Sequence, residues 1–321
     1  MDKFDIYRDI AERTDGDIYI GVVGPVRTGK STLIKRFMDL MVFPNMENDY
    51  KKQRALDEMP QSGAGRTIMT TQPKFVPNEA VEITIREKAN FNIRMVDCVG
   101  YLVKGAMGHM EGDAPRMVRT PWFDYDIPFE EAAELGTRKV ITEHSTIGLV
   151  VTTDGSITDI PRSNYIEAEE RVVRELKELN KPFIIILNSK YPASEQVQGM
   201  REALEEKYDV PVLALDVLNL TEEDVDNILA SVLFEFPLTE IYIDVPKWVQ
   251  SLEDDHWLVK HILDSIKAST DDISRVRDVD KISGVFAESE YVDKPNVEKI
   301  NLGNGKVSIK MDTKPGMFYE I

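Results

Sequence analysis

Apolar positions along the chain fall into short continuous runs separated by amphipathic stretches. Asp17-Ile-Tyr-Ile-Gly-Val-Val23 alternates and then turns wholly apolar, as a buried strand does. Residues 31–41 place Leu33, Ile34, Phe37, Met38 and Met41 on one helical face. Ahead of them, residues 2–14 read as a short amphipathic helix carrying Phe4, Ile6, Tyr7 and Ile10. Residues 45–65 are polar and irregular and read as a mobile loop, leading through Thr67-Ile-Met-Thr-Thr-Gln-Pro73 into strands at 74–76 and 81–85. Residues 92–97 form the next strand, and 101–128 are a long stretch rich in glycine and proline with Trp122, Phe123 and Tyr125. A loop of that length inside a compact domain usually has a use, which makes it a candidate lid or contact surface.

From residue 129 onward helices and apolar runs alternate. Helices are expected over 129–143, 163–179, 194–208 and 222–236, with strands over 146–152, 182–188 and 210–215 between them. Such alternation is the mark of a parallel sheet covered by helices on both faces. The pattern changes near Pro237. Beyond it come a strand at 239–245, a mostly helical stretch at 248–278, and alternation over 286–321 broken by Gly303-Asn-Gly305, a hairpin signal. The expected architecture is therefore an α/β domain over 1–237 and a small α+β domain over 238–321, with no internal repeat.

Between the first strand and its helix stand Gly24, Pro25, Val26, Arg27, Thr28, Gly29, Lys30 and Ser31, which fit G-x-x-x-x-G-K-[ST]. Strand, glycine loop and helix together present unpaired amides and the positive end of a helix dipole to a polyphosphate. Lys30 adds a point charge between terminal phosphates, and Ser31 a hydroxyl for Mg²⁺. Asp97, at the carboxyl end of a later strand, begins D-x-x-G; it shares the Mg²⁺ with Ser31, and Gly100 offers an amide to the γ-phosphate. Thr70 and Thr71 lie between the two motifs, placed to sense the γ-phosphate through a hydroxyl on the metal. Loop, threonines and D-x-x-G in this order make the plan of the GTPase-like P-loop proteins.

Two positions depart from that plan. The base-reading Asn-Lys-x-Asp stands here as Asn188-Ser-Lys-Tyr191, and a phenol cannot accept the two hydrogen bonds of a guanine edge as a carboxylate does. Guanine selectivity should collapse and adenine become acceptable. The residue after D-x-x-G, often a water-positioning glutamine, is Tyr101, so hydrolysis is slow or uses another group. Arg27 is one such group, a cation supplied in cis; the alternative is a side chain turned to solvent or paired with an acid. Cys98 reads as a packed residue, and the histidines at 109, 144, 256 and 261 lack metal-ligand spacing.

Composition narrows the partners. A net charge of −18 argues against nucleic acid and against adhesion to anionic lipid. A single cysteine excludes an intramolecular disulfide and suits a reducing compartment. No apolar run approaches the roughly 18–20 residues of a spanning helix, and the acidic N-terminus does not read as a signal peptide, so a cytoplasmic location is expected.

Segments outside the loop carry a more specific resemblance: Asp9-Ile-Ala-Glu-Arg-Thr, Gly24 to Thr32, Lys74-Phe-Val-Pro-Asn78, Val96-Asp-Cys-Val-Gly-Tyr101, Glu143-His-Ser-Thr-Ile-Gly148, Tyr165-Ile-Glu-Ala-Glu-Glu-Arg171, and Trp257 with Arg275-Val-Arg-Asp-Val-Asp280. Over essentially its whole length the chain resembles the stage IV sporulation protein A family, morphogenetic ATPases of endospore-forming bacteria. The resemblance implies a protein of the mother-cell cytoplasm that binds ATP and Mg²⁺, hydrolyses ATP and assembles into homopolymers. Those polymers form the basement layer of the spore coat, on which coat proteins dock, peripheral to the outer forespore membrane. Lys30, Thr70, Thr71 and Asp97 match the family's nucleotide residues, with Thr32 and Asn188 in the nucleotide-binding segments. Family members are longer and carry a further C-terminal region credited with contact to a small amphipathic membrane-anchoring peptide. Two other readings stay open on the residues: a GTPase-like regulatory switch, and a nucleotide-binding scaffold without significant turnover.

Overall fold

The computed structural model describes residues 3–46, 48–60, 73–85, 89–270, 273–286 and 289–320. They fall into two compact units, Met1–Val232 and Leu233–Ile321. In the first, α1 (Lys3–Arg13) leads into β1 (Asp17–Val23), which the phosphate-type loop joins to α2 (Lys30–Phe37). The apolar face predicted for 31–41 is there, but its second half, Met38–Val42, widens into a π-helical turn. Residues 45–65 hold an unexpected helix, α3 (Asp49–Asp57). Asn48 caps it, its side chain accepting from the Lys51 amide at 3.0 Å, while Ala55 is its one buried residue, so apolar periodicity gave no sign of it. The two strands expected at 74–76 and 81–85 are one, β2 (Lys74–Ile85), bent by a register shift between Val76 and Val81 where it pairs with β3 (Ala89–Asp97).

The long glycine- and proline-rich stretch is tied down by two short ladders, β4 (Met110–Glu111) with β5 (Ala114–Pro115) and β6 (Met117–Val118) with β7 (Ile127–Pro128). Tyr101, Val103, Ala106, Val118 and Ile127 are buried along it, whereas Tyr125 stays exposed. Helices and strands then alternate as expected: α4 (Phe129–Glu143), β8 (Ile147–Thr153), α5 (Ile166–Glu178), β9 (Phe183–Asn188), α6 (Glu195–Tyr208), β10 (Val212–Leu215) and α7 (Glu222–Phe234). The sheet has the order β10-β9-β8-β1-β3-β2, parallel except for the antiparallel edge strand β2. Every residue of β8 and β9 is buried, which explains their unbroken apolar runs. Register brings the carboxyl ends together: Val22 lies opposite Asp97, and Thr153 opposite Asn188. Ligands of open α/β sheets bind at that edge.

In the second unit β11 (Glu240–Asp244) runs parallel to β13 (Lys306–Lys310), which pairs with β12 (Asn296–Asn301) in the hairpin expected around Gly303–Gly305. Helices α8 (Lys247–Gln250), α9 (Trp257–Thr270), α10 (Asp280–Val285) and α11 (Met317–Glu320) accompany the sheet. Leu258, Ile262, Ile282, Phe286 and Val307 meet in its core, and the Glu235 carboxylate is ion-paired to Arg275 and Arg277. No described helix is long and apolar enough to cross a membrane.

The crossover from β8 to α5 carries a buried ion pair. Glu169 is fully buried and takes both nitrogens of the Arg162 fork, at 2.8 and 2.7 Å. The hydroxyls of Thr152 and Tyr208 also donate to it. Removing one partner of such a pair strands the other charge. Glu169→Ala should therefore lower unfolding free energy by about 3–5 kcal/mol in urea titrations. A loss below 1 kcal/mol would mean that water reaches Arg162.

Candidate functional site

Left-handed backbone shapes the phosphate-type loop. Gly29 (φ 97°) and Gly100 (φ 93°) stand where a side chain has no room. A Cβ on Gly29 would lie 2.4 Å from the Asn188 amide nitrogen; one on Gly100 would lie 2.2 Å from the Gly24 carbonyl oxygen and 2.6 Å from Lys30 Nζ. The D-x-x-G glycine is thus packed directly on the loop and its lysine. Arg27 also has φ 64°, a conformation that disfavours residues other than glycine by roughly 1–2 kcal/mol.

Lys30 is 5% exposed, and its ammonium donates to the Pro25 carbonyl at 2.6 Å and the Gly24 carbonyl at 3.4 Å. Burial holds its pKa below the usual lysine range, against the raising influence of Cys98 and Asp97; the Arg27 charge lowers it further. The Arg27 charge also reaches Tyr165, whose pKa burial raises. Thr28 is buried, its hydroxyl closing the loop on the Pro25 carbonyl at 3.0 Å. Val26 donates its amide to the Tyr101 carbonyl at 2.9 Å. Ser31 and Thr32, the latter half-buried, open α2.

Asp97 is 1% exposed. Its Oδ2 accepts from the Ser31 hydroxyl at 2.6 Å, and its buried Oδ1 has no hydrogen-bond partner among the described residues. Burial pushes its carboxyl pKa up, opposed by the Ser31 bond and by Lys30. A buried carboxylate with one oxygen on a serine hydroxyl and the other without a partner is a fitting donor set for a hard divalent cation. Cys98, next in sequence, is packed with its thiol on the Val22 carbonyl at 3.4 Å, and burial lifts its pKa to about 11, which leaves it no nucleophilic character.

The structure gives the remaining expected residues partners that the sequence did not show. Asn188 is a brace: its Nδ2 donates to the Thr28 carbonyl at 3.0 Å, and its Oδ1 accepts from the Val217 amide at 3.2 Å. The Gly100 amide donates to the Thr137 hydroxyl of α4 at 3.2 Å. Tyr101 is buried and faces helices α4 and α5: its hydroxyl donates to Glu175 at 2.5 Å, and Arg171 lies 4.2 Å over its ring. Arg171 in turn forks onto Glu134 at 2.6 and 2.8 Å. Thr70 and Thr71 lie outside the described residues.

Tyr191 is 67% exposed. The turn before it is stitched to the end of β8 instead, where Ser189 donates to Asp154 at 2.7 Å and the Lys190 amide donates to the Ser156 hydroxyl at 3.0 Å. Burial would raise the Asp154 pKa, but hydrogen bonds from Ser156 and Ser189 outweigh it and hold the carboxyl below its usual range. Asp154 was missed in the sequence although it directly follows the apolar strand β8, much as Asp97 ends β3. Thr137 and Glu175 carried no such signal.

Residues 1–237 match the family model of the stage IV sporulation protein A ATPase domain, and residues 238–321 that of its middle domain. Stage IV sporulation protein A of Clostridioides difficile (strain 630) is 52% identical over 316 residues, a match covering 98% of this chain and 64% of that protein. The proteins of the same name from Bacillus anthracis and Bacillus subtilis (strain 168) are each 53% identical over 321 residues, all of this chain and 65% of theirs. The chain spans 64–65% of the length of these relatives. On these matches the chain belongs to the stage IV sporulation protein A family.

Proposed function

We propose that the chain is the ATP-hydrolysing part of a self-assembling spore coat protein, with an ATPase domain at 1–237 and a small α+β domain at 238–321. The observation that carries the reading is the Asp97 carboxylate, held on Ser31 with its second oxygen unpartnered, beside the buried ammonium of Lys30. Lys30 and the amides from Thr28 to Thr32 would hold the phosphates; Ser31 and Asp97, with Thr70 or Thr71, would hold Mg²⁺. The metal supplies charge neutralisation on the transferring phosphoryl group. Arg27 supplies a further positive charge in cis. Its left-handed backbone is a strain that the loop retains, as strained residues at functional sites are. Tyr101, its hydroxyl bonded to Glu175, does not orient water, which fits a slow turnover.

Support for the wider role comes from family membership and charge. The implied protein works in the mother-cell cytoplasm, against the outer forespore membrane, as a homopolymer that receives coat proteins. A small amphipathic peptide anchors it through a region beyond residue 321. At −18, subunits repel over a Debye length of about 8–10 Å, so assembly needs a specific, nucleotide-gated surface. Exposure of Tyr191, with no carboxylate at that position, favours ATP over the guanine nucleotide of a regulatory switch.

Phosphate release and sedimentation of the longer protein test the reading together. Wild type should hydrolyse and pellet with ATP, and GTP should not displace ATP at equal concentration. Lys30→Ala should lose binding while remaining folded, and Thr70→Ala with Thr71→Ala should bind without hydrolysis or pelleting. Equal pelleting of wild type and the threonine variant would show that assembly ignores the nucleotide.

Arg27→Gly relieves the left-handed strain, so its stability should equal wild type or exceed it by up to about 1 kcal/mol. Hydrolysis should nevertheless fall about 1000-fold, the order that a cis arginine contributes. A wild-type rate would leave Arg27 as a loop residue only.

Asp97 gives a pH signature in the nucleotide-free protein. Its folded pKa lies above the ordinary 3.8, so the stability it contributes is present below that value and is lost as pH rises through the folded pKa. Asp97→Asn should therefore gain stability relative to wild type as pH rises from 3.8 toward neutrality. A gap between the two that stays constant with pH would contradict the buried, metal-ready carboxyl.

A further inference from the structure

The described structure assigns a partner to the Gly100 amide, and that partner is on α4. We propose that Thr137 holds this amide whenever no γ-phosphate is present, and thereby sets how strongly the site prefers a nucleoside triphosphate to a diphosphate. The inference rests on the ATPase reading above and adds a positioning residue to it.

The Thr137 hydroxyl is engaged on both sides, with the Cys98 thiol beside it. Its own proton goes to the Ala133 carbonyl at 2.8 Å, so its lone pairs face the Gly100 amide at 3.2 Å. Thr137 is fully buried, among Ala133, Val140 and Ile141 on the inner face of α4, where packing alone would be met as well by valine. Gly100 is itself buried, and a Cβ added to it would meet the Gly24 carbonyl and Lys30 Nζ, so the residue borders the loop and its ammonium. An amide has one proton to donate. When a phosphate oxygen accepts it, the bond to Thr137 is given up; when the γ-phosphate leaves, Thr137 takes it back and no buried amide is left unpaired. The threonine thus stabilises the free and diphosphate states over the triphosphate state by one neutral hydrogen bond.

Removing the oxygen should shift that balance in a direction that no loss of packing produces. In calorimetric titrations with Mg²⁺, Thr137→Val should bind a nonhydrolysable ATP analogue about fivefold more tightly than wild type, the factor equivalent to about 1 kcal/mol. ADP affinity should be unchanged, and Thr137→Ser, which keeps the oxygen, should return the wild-type ratio. Equal affinities in wild type and Thr137→Val, with only a lower melting temperature, would overturn the proposal and leave Thr137 as a packing residue. A wild type that binds neither nucleotide would instead overturn the ATPase reading. Should Thr137→Val not yield folded protein, the wild-type Gly100 amide resonance decides. It should move with the analogue and stay in place with ADP; an equal response to both would refute the exchange.

Discussion

Two opposite charges, Lys30 at the start of α2 and Asp97 at the end of β3, sit almost without water. Burying either alone is unfavourable, and burial pushes the pKa of each toward its neutral form. The surroundings answer that constraint. Loop carbonyls of Gly24 and Pro25 take the ammonium, the Ser31 hydroxyl takes one carboxylate oxygen, and the parallel register of β1 and β3 sets Asp97 level with Val22, just ahead of the loop. Gly100 has no room for a side chain because it packs on this arrangement. A polyphosphate and a divalent cation are the charges that would complete it.

The same site is braced from three directions. Asn188 links the loop to the start of the chain after β10, Thr137 reaches it from α4, and Tyr101 ties the segment after Asp97 to α5. The loop is consequently not a flexible hook on a sheet edge. Its backbone is held by side chains from three other elements of the domain.

Much of this was legible from local pattern. β1, α4 and the buried strands β8 and β9 announce themselves because one side-chain period dominates each segment. The loop and Asp97 are legible because the chemistry of phosphate and metal demands fixed residue types at fixed spacing. The contacts of Tyr101 and Thr137 were not. Thr137 lies 37 residues from the amide it accepts, and Tyr101 lies 74 from Glu175, so both depend on how crossovers pack and not on any local period. Helix α3 was hidden for the opposite reason: its short polar sequence buries only Ala55, so the side chain of Asn48 and tertiary support decide its form. The identity of Tyr101 suggested a missing water-positioning side chain; its orientation shows a structural tie in that place.

That tie has an outlet to solvent. Tyr101 is buried, but the Arg171 and Glu134 side chains that finish its cluster are 37% and 36% exposed. Dissolved ions therefore reach the outer half of a cluster whose inner half adjoins the phosphate-type loop, and they weaken an ion pair open to water far more than one sealed from it. For a chain of charge −18, added salt screens repulsion between molecules and favours association. The same salt loosens the clamp behind Tyr101 within each molecule. Ionic strength thus has two opposed effects on this protein, one on the repulsion between molecules and one on the backbone beside the glycine loop.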